Sequence, residues 1–493
     1  MQITKTDYLE YSFCRKNLWL KKYKPELFED FELSDFEKKI IEEGNAADEA
    51  ARKLFPDGVL VSTHGSTAIE DTNLLIADKA RVIFQGTFVF ENFFIRADVL
   101  VWDNRLNGWE LYEVKATNEV KKTGVGNHVR DLAFQKQVIQ KCGARVVKTG
   151  VIHLNSEYRK HGELDYDQLF ITEDISNEIR DVEVEVLGEM EEMKIWLAMD
   201  EQSGCDCVYK GRSAHCSSFA YSNPVVPEYS IHDLYRIGNS KKKLMNWVDE
   251  GRFTLEEVIE EKLNDRQQLQ ISSYIQKRPF VDGLAIREMF NELQFPLYFL
   301  DYEGFIAAIP LFDGFGPYEH VPFQYSLHIL HEDGSVEHTE FLITEKQSEV
   351  TKPLVEQLVA DMSEKGTAVS WHAAYEKKQN RKLAQLHPEH VRFFEEMNET
   401  MFDLETIFTN NLYVDPDFKG KSSIKNILPV LIPSLTYKEL NIRKGDQASE
   451  RWERMMTKSI DEEEKQQIAQ DLLAYCKMDT WAMVEIYQFL KKL

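Results

Sequence analysis

Residues 296–305 read PLYFLDYEGF. The run is apolar and aromatic, broken by two acids, Asp301 and Glu303. It reads as a strand that ends in carboxylates. Residues two apart on a strand point to the same side, so both acids face one cleft. Downstream, VPFQYSLHIL (321–330) reads as a second strand and GTAVSWHAA (366–374) as a third, followed by a helix from about Tyr375. The end, from Asp461 to Leu493, carries one or two helices. On such a helix Tyr475 and Asp479, four apart, share a face. Residues 296–493 are therefore expected to form an α/β domain.

Upstream, 226–295 reads as a helical connector. Residues 1–225 look like another mixed α and β domain. Helical periodicity runs over 34–55. The runs GVLVS, ARVIFQGTFVF, FFIRADVLVWD and GWELYEVKAT then predict a strand meander, with DNRLNG as a turn. A helix (HVRDLAFQKQVIQKCG) and a strand (VVKTGVIHL) follow. An acidic helical stretch over 173–200 reads as a solvated face, and a cysteine-bearing loop spans 204–216.

The chain has 493 residues and a formal net charge of −25. Hydrophobic residues make up 43%, enough for full cores, which excludes wholesale disorder. The charge excludes a uniformly basic nucleic-acid coat, so a polyanion must meet local basic patches or carboxylate-held metal ions. A basic excess lies in 114–160, where Lys121, Lys122 and Arg130 are candidate phosphate contacts. No apolar run reaches the roughly 18–20 residues of a membrane span, and MQITKTDYLEYSFCRK has no secretory h-region. The expectation is a soluble cytoplasmic protein. Six cysteines are too sparse for a disulfide scaffold, and a cluster of them points to metal.

In the first domain Asp98 (IRADVLVW) and Glu113 with Lys115 (LYEVKAT) stand out. Glu113 and Lys115, two apart, point to one face. An acid pair can hold Mg²⁺ or Mn²⁺, and a lysine can stabilise charge or orient water. Ordinary charges on a half-exposed sheet are the bland alternative. The order helix, Asp strand, ExK strand, helix with Gln135 resembles the PD-(D/E)XK nuclease superfamily. It is most similar to its RecB-like branch, including the CRISPR-associated RecB-like exonucleases. The resemblance implies a restriction-endonuclease-like fold with Asp98, Glu113, Lys115 and Gln135 catalytic. The branch carries a first-helix His four residues after a Gly. After Gly44 none is present, and Asp48 or Glu49 is the candidate third metal ligand. The tyrosine that often ends the Gln motif is also missing; Val138 and Ile139 stand there.

Cys14, Cys205, Cys207 and Cys216 fit the same branch, which often staples its ends with a 4Fe–4S cluster. The spacing C-x-C-x₈-C departs from the more usual C-x₂-C-x₅-C. His215 could replace one thiolate, and zinc is the alternative. Cys142 and Cys476 read as buried small hydrophobes.

In the second domain, Asp301-x-Glu303, His372-Ala-Ala-Tyr375-Glu376 and Tyr475-x₃-Asp479 resemble the three motifs of the DnaQ-like DEDD exonucleases, tyrosine subgroup, on an RNase H-like fold. His stands for the usual Asn and Glu376 for Asp. The resemblance implies two divalent ions held by Asp301, Glu303, Glu376 and Asp479, with Tyr475 orienting the attacking water. Lys425 is a candidate phosphate contact, and Asp403 reads as structural. Nearly the full chain resembles a family of uncharacterised bacterial proteins joining a RecB-like nuclease, a Cys motif and a DnaQ-like domain. The expected function is metal-dependent hydrolysis of DNA, single-stranded or with free ends, in repair, recombination or defence. An RNA-processing 3′–5′ exonuclease, or a nucleic-acid-binding protein with an inactive first site, are the alternatives.

Overall fold

The structure is a computed structural model and describes residues 1–28 and 35–493. The chain folds into two compact units. The first comprises Met1–Pro224 with Ala307–Leu311 and Gly316–Tyr318; the second comprises Val225–Ile306, Phe312–Phe315 and Glu319–Leu493. Both are mixed α/β.

The first unit is built on a seven-stranded sheet. Its strands are β1 (Ile3–Thr4), β2 (Val59–Leu60), β3 (Val82–Phe90), β4 (Phe93–Asp103), β5 (Gly108–Lys115), β6 (Val146–Leu154) and β7 (Phe170–Asp174). The order is β2-β3-β4-β5-β6-β7, with β1 beside β4. The meander β3-β4-β5 is antiparallel, and β5 and β6 are parallel across the helix His128–Lys141. Asn127 starts that helix by accepting the Val129 and Arg130 N–H groups, satisfying donors that have no intrahelical partner. Its Leu132, Phe134, Val138 and Ile139 enter one core with Trp109, Leu111 and Val151. Each such side chain stabilises by about 1.5–3 kcal/mol on burial.

The β4–β5 ladder runs from Asp103↔Gly108 to Val99↔Tyr112 and stops. Just beyond, the Asp98 carboxylate accepts the Val114 N–H at 2.9 Å in place of a main-chain partner. Beside the start of β4 lies β1, pairing Ile3 with Phe93 and Thr4 with Phe94. The helix Lys5–Phe13 follows at once. Of the helix expected over 34–55, Ser34 lies outside the described residues; the α-helix spans Asp35–Ala51. The strand expected at GVLVS shrinks to the two exposed residues of β2, and a helix at Gly65–Ala77 was not anticipated.

In the second unit a small pair joins β8 (Phe280–Val281) to β14 (Tyr413–Val414). The main sheet has five strands: β9 (Leu297–Phe305), β10 (Val321–Leu330), β11 (Val336–Leu342), β12 (Thr367–Ser370) and β13 (Phe402–Asp403). Their order is β11-β10-β9-β12-β13. β10 is antiparallel to both neighbours, whereas β9, β12 and β13 run parallel. β9 is central and mostly buried, which is why its sequence is a near-continuous apolar run. The chain reverses its direction of travel across the sheet between β9 and β12. β12 pairs with β9 only as far as Val369↔Phe299, so Asp301 sits where the two strands part. Crevices at such switch points are the usual binding places of open α/β sheets. From Asp461 onward there is one long helix, Glu462–Leu490, rather than two.

Candidate active sites and metal centre

In the first unit the register places Asp98 opposite Glu113, and both line a pocket of 440 Å³ with Lys5, Asp48, Arg52 and Gln85. Glu113 is buried and held from three sides. Lys115 Nζ donates to its Oε1 at 2.8 Å, Gln135 Nε2 to its Oε2 at 2.7 Å, and Lys5 Nζ also to Oε1. Lys115 reaches Asp131 at 2.7 Å, and Gln135 reaches Asp131 at 2.9 Å. Burial alone would raise Glu113, but Lys115, Lys5 and the Gln135 amide together hold it below the usual carboxylate range. Asp98 goes the other way: burial and the Glu113 charge lift it to about 7. Opposite it, Gln85 adopts a left-handed φ of 57° within β3 and donates to Asp98 and Asp48, each at 3.2 Å. Backbone strain of this kind concentrates at functional sites.

Asp98, Glu113, Lys115 and Gln135 thus come together. Glu49 does not join them: it is exposed, while Asp48, one residue earlier on the helix, lines the pocket and pairs with Arg52. The basic surface is largely compensated. Lys122 pairs with Glu173 (2.9 Å) and Glu178 (2.8 Å), and Arg130 pairs with Glu185 and Glu189 (both 2.5 Å). Three of those four partners, Glu178, Glu185 and Glu189, lie on the helix Ser176–Ala198, so that acidic helix is not simply a solvated face. Lys121 is exposed.

Cys14, Cys205, Cys207 and Cys216 bring their sulfurs within 4.8 Å of one another. Cys14 ends the first helix and begins the helix Arg15–Tyr23. Hydrogen bonds shared among the four sulfurs pull the Cys205 and Cys207 thiols down and push Cys14 and Cys216 up. The Cys205–Cys216 separation is 3.8 Å. Zn–S bonds of about 2.3 Å put tetrahedral sulfurs about 3.8 Å apart. His215 is occupied elsewhere: it stacks on Phe219 and its Nε2 lies 3.0 Å from Lys210 O. Cys142, expected to be buried, is exposed beyond the C-terminus of the helix His128–Lys141.

In the second unit three elements supply the acids: β9 (Asp301, Glu303), the helix Ala374–Leu386 (Glu376) and the helix Glu462–Leu490 (Tyr475, Asp479). Burial and the Asp479 charge raise Asp301 well above its normal value; burial, Asp301 and Asp479 do the same to Glu303. Burial and Asp301 raise Glu376, whose Oε2 is buried without a hydrogen bond. Burial lifts Asp479 to about 6, against the pull of Tyr437, Lys425 and Tyr475. Tyr437 donates to Asp479 at 2.6 Å; Lys425 donates to the Tyr475 hydroxyl oxygen and to Arg443 O, each at 2.9 Å. Lys425 therefore belongs to the acid cluster as its neighbouring cation.

The second motif also gains a reason. His372 has φ 64°, a left-handed conformation that Asn and His tolerate better than most residues. Asp403 accepts the N–H groups of His372 and Glu405, both at 3.1 Å, a turn-holding role. Gly304 must be glycine: a Cβ there would lie 2.4 Å from the Tyr375 hydroxyl, displacing the residue before Glu376.

Against this geometry stand the comparisons with known proteins. Residues 298–423 match a family described as "Domain of unknown function (DUF2779)". The match takes in β9 and Glu376 and stops before Tyr475 and Asp479. The chain is 23% identical over 305 residues to "Uncharacterized protein MG366" of Mycoplasma genitalium, covering 57% of this chain and 43% of that protein. It is 24% identical over 232 residues to "Uncharacterized protein UU173" of Ureaplasma parvum, covering 42% and 33%. The chain spans less than half the length of these curated relatives.

Sequence reasoning missed Lys5, Gln85, Asp131, Tyr437 and the surroundings of Cys476. Asp131 had a signal, since it lies four residues before Gln135 on one helix face. Lys5 had none.

Proposed function

We propose that the protein is a metal-dependent nuclease whose principal site is the acid cluster Asp301, Glu303, Glu376 and Asp479. One observation carries this reading. Three buried carboxylates and the half-buried Asp301 meet with Lys425 as the basic group acting on Asp301, Glu303 and Asp479, and three of the four are pushed well above their normal values. Such a set is costly unless cations neutralise it. Carboxylate oxygens suit Mg²⁺ or Mn²⁺, and a divalent pair would supply activation of water and stabilisation of the leaving oxygen. Tyr475, fixed by Lys425, would orient the attacking water. Lys425 would also meet a scissile phosphate. The mixed five-stranded sheet with its acids on the central strand supports an RNase H-like, DnaQ-like domain.

The first unit is read as a second, PD-(D/E)XK site on Asp98, Glu113, Lys115 and Gln135, with Asp48 as the further oxygen ligand. Its charges are already largely paired, which favours the runner-up reading for this unit: nucleic-acid binding without cleavage. The four cysteines would hold a structural metal. Their spacing favours a single tetrahedral ion, zinc; a 4Fe–4S cluster is separated from it by metal analysis and visible absorbance.

The test is hydrolysis of matched DNA and RNA, single- and double-stranded, by the full chain with Mg²⁺ or Mn²⁺. DNA degradation that disappears in Asp301→Asn supports the reading. RNA-only degradation moves the substrate to RNA. Unchanged rates in Asp301→Asn overturn the site.

A further inference from the structure

Cys476 has no part in the reading just given. It lies between Tyr475 and Asp479 on the long helix and is fully buried, at 0% exposure. A buried free cysteine ordinarily packs as a small hydrophobe among apolar groups. This one faces carboxylates. Its Sγ lies 3.6 Å from Asp301 Oδ2 and 3.7 Å from Asp301 O. One ligand atom each from Asp301, Glu303 and Cys476 fall within 4.8 Å of one another. Beside them Glu376, 2% exposed, keeps an oxygen without a hydrogen bond; its charge acts on Glu303, and that of Asp301 acts on it. The cluster therefore has donor atoms to spare and, among the described residues, too little positive charge to occupy them.

We propose that Asp301, Glu303 and Cys476 form a mixed oxygen–sulfur site for a thiophilic divalent ion of the zinc class. The inference rests on reading the acid cluster as a cation site, and not on the reaction that follows. Oxygen ligands alone select hard ions such as Mg²⁺ and Mn²⁺. A thiolate is soft and adds affinity for Zn²⁺ or Cd²⁺ while contributing almost nothing toward Mg²⁺. Binding converts Cys–SH and M²⁺ into Cys–S–M and releases one proton to solvent, with no change of oxidation state. Because Asp301 and Glu303 would serve both classes of ion, a bound zinc ion excludes the hard one. The site is thereby a place where the thiophilic ion competes with the catalytic metals.

The experiment titrates the full chain and its Cys476→Ser variant with Cd²⁺, followed by thiolate-to-cadmium absorbance, and with Zn²⁺ and Mg²⁺ by calorimetry. The four-cysteine centre contributes equally to both proteins, so the difference isolates Cys476. The expected result is a smaller cadmium–thiolate absorbance in the variant and a loss of about tenfold or more in Zn²⁺ affinity at this site, with Mg²⁺ affinity changed less than about twofold. Equal absorbance and equal Zn²⁺ affinity overturn the proposal. If Cys476→Ser fails to fold, cadmium NMR of the wild-type chain decides: a resonance of mixed sulfur–oxygen ligation, besides the all-sulfur one, is expected, and its absence overturns the site. A chain that shows the mixed site but cleaves no substrate refutes the nuclease reading alone. A chain that cleaves but lacks the mixed site refutes this inference alone.

Discussion

Replacing Asp479 with Asn should make the metal-free protein more stable, although it removes a residue of the proposed active site. Asp479 is 8% exposed, and burial lifts its carboxyl from 3.8 to about 6. The folded state thus binds this proton more tightly than the unfolded state. Stability from this group is greatest below pH 3.8, falls as pH rises through the window up to about 6, and stays low above it. At about 1.4 kcal/mol per pH unit, the penalty at pH 8 is about 3 kcal/mol. Asn still accepts from Tyr437, as the neutral acid would, but its added amide donors have no assured partner among the carboxylates' surroundings and cost about 1 kcal/mol. The net gain is about 2 kcal/mol, before counting relief of Asp301 and Glu303, which the Asp479 charge also raises. For a unit of this size that is about 4–8 °C in melting temperature. The assay is thermal unfolding with EDTA across a pH series. The gain should be full at pH 8 and shrink as pH falls below about 6. Adding Mn²⁺ should reverse the ranking, because wild type alone keeps all four ligands. A variant no more stable than wild type at pH 8 in EDTA, or a gain independent of pH, would refute the account of this cluster as under-neutralised.

Three further outcomes are expected. Cys14→Ser should lose the metal of the four-cysteine centre and lower the melting temperature of the first unit; stoichiometric metal retained by the variant, measured by elemental analysis, counts against a four-sulfur site. Lys115→Met should cost about 3–5 kcal/mol in urea unfolding, because the buried Glu113 and Asp131 lose their shared partner, and an unchanged midpoint would show the pairing to be energetically idle. Tyr437→Phe removes the 2.6 Å hydrogen bond that holds Asp479 down, so calorimetric Mg²⁺ or Mn²⁺ affinity should fall near pH 6–7 and recover at higher pH; loss that persists at pH 9 would point to structural damage instead.

What the sequence disclosed depended on how each residue meets its neighbours. β9 was legible because a central strand buried on both faces must be apolar, so its acids stand out. β11, reading VEHTEFL, was not, because it lies at the sheet edge and is only half-buried. The four acids of the second unit could be picked out because each lies on a strand or helix with a clear period. Lys5 could not, because it reaches Glu113 from 108 residues away by way of a two-residue strand whose pairing no local pattern announces. Glu49 and Asp48 differ by one helical step, about 100° of rotation, which spacing from Gly44 does not resolve. Cys476 was rightly read as buried, but burial says nothing of whether the walls are apolar or acidic.

The order in which the ribosome delivers the four sulfurs adds a dimension of time. Cys14 emerges before the other three, and Cys216 follows roughly two hundred residues later, which at 5–20 residues per second is about 10–40 s. Throughout that interval a metal held by all four sulfurs, as proposed, could not yet anchor the end of the first helix. Lys5 sits at the start of the same helix and pairs with Glu113, so the proposed metal would steady the far end of a helix whose near end reaches that pocket. A shortage of the proposed metal during synthesis would then be felt at the opposite end of that helix, as a loosened lysine in the Asp98–Glu113 pocket.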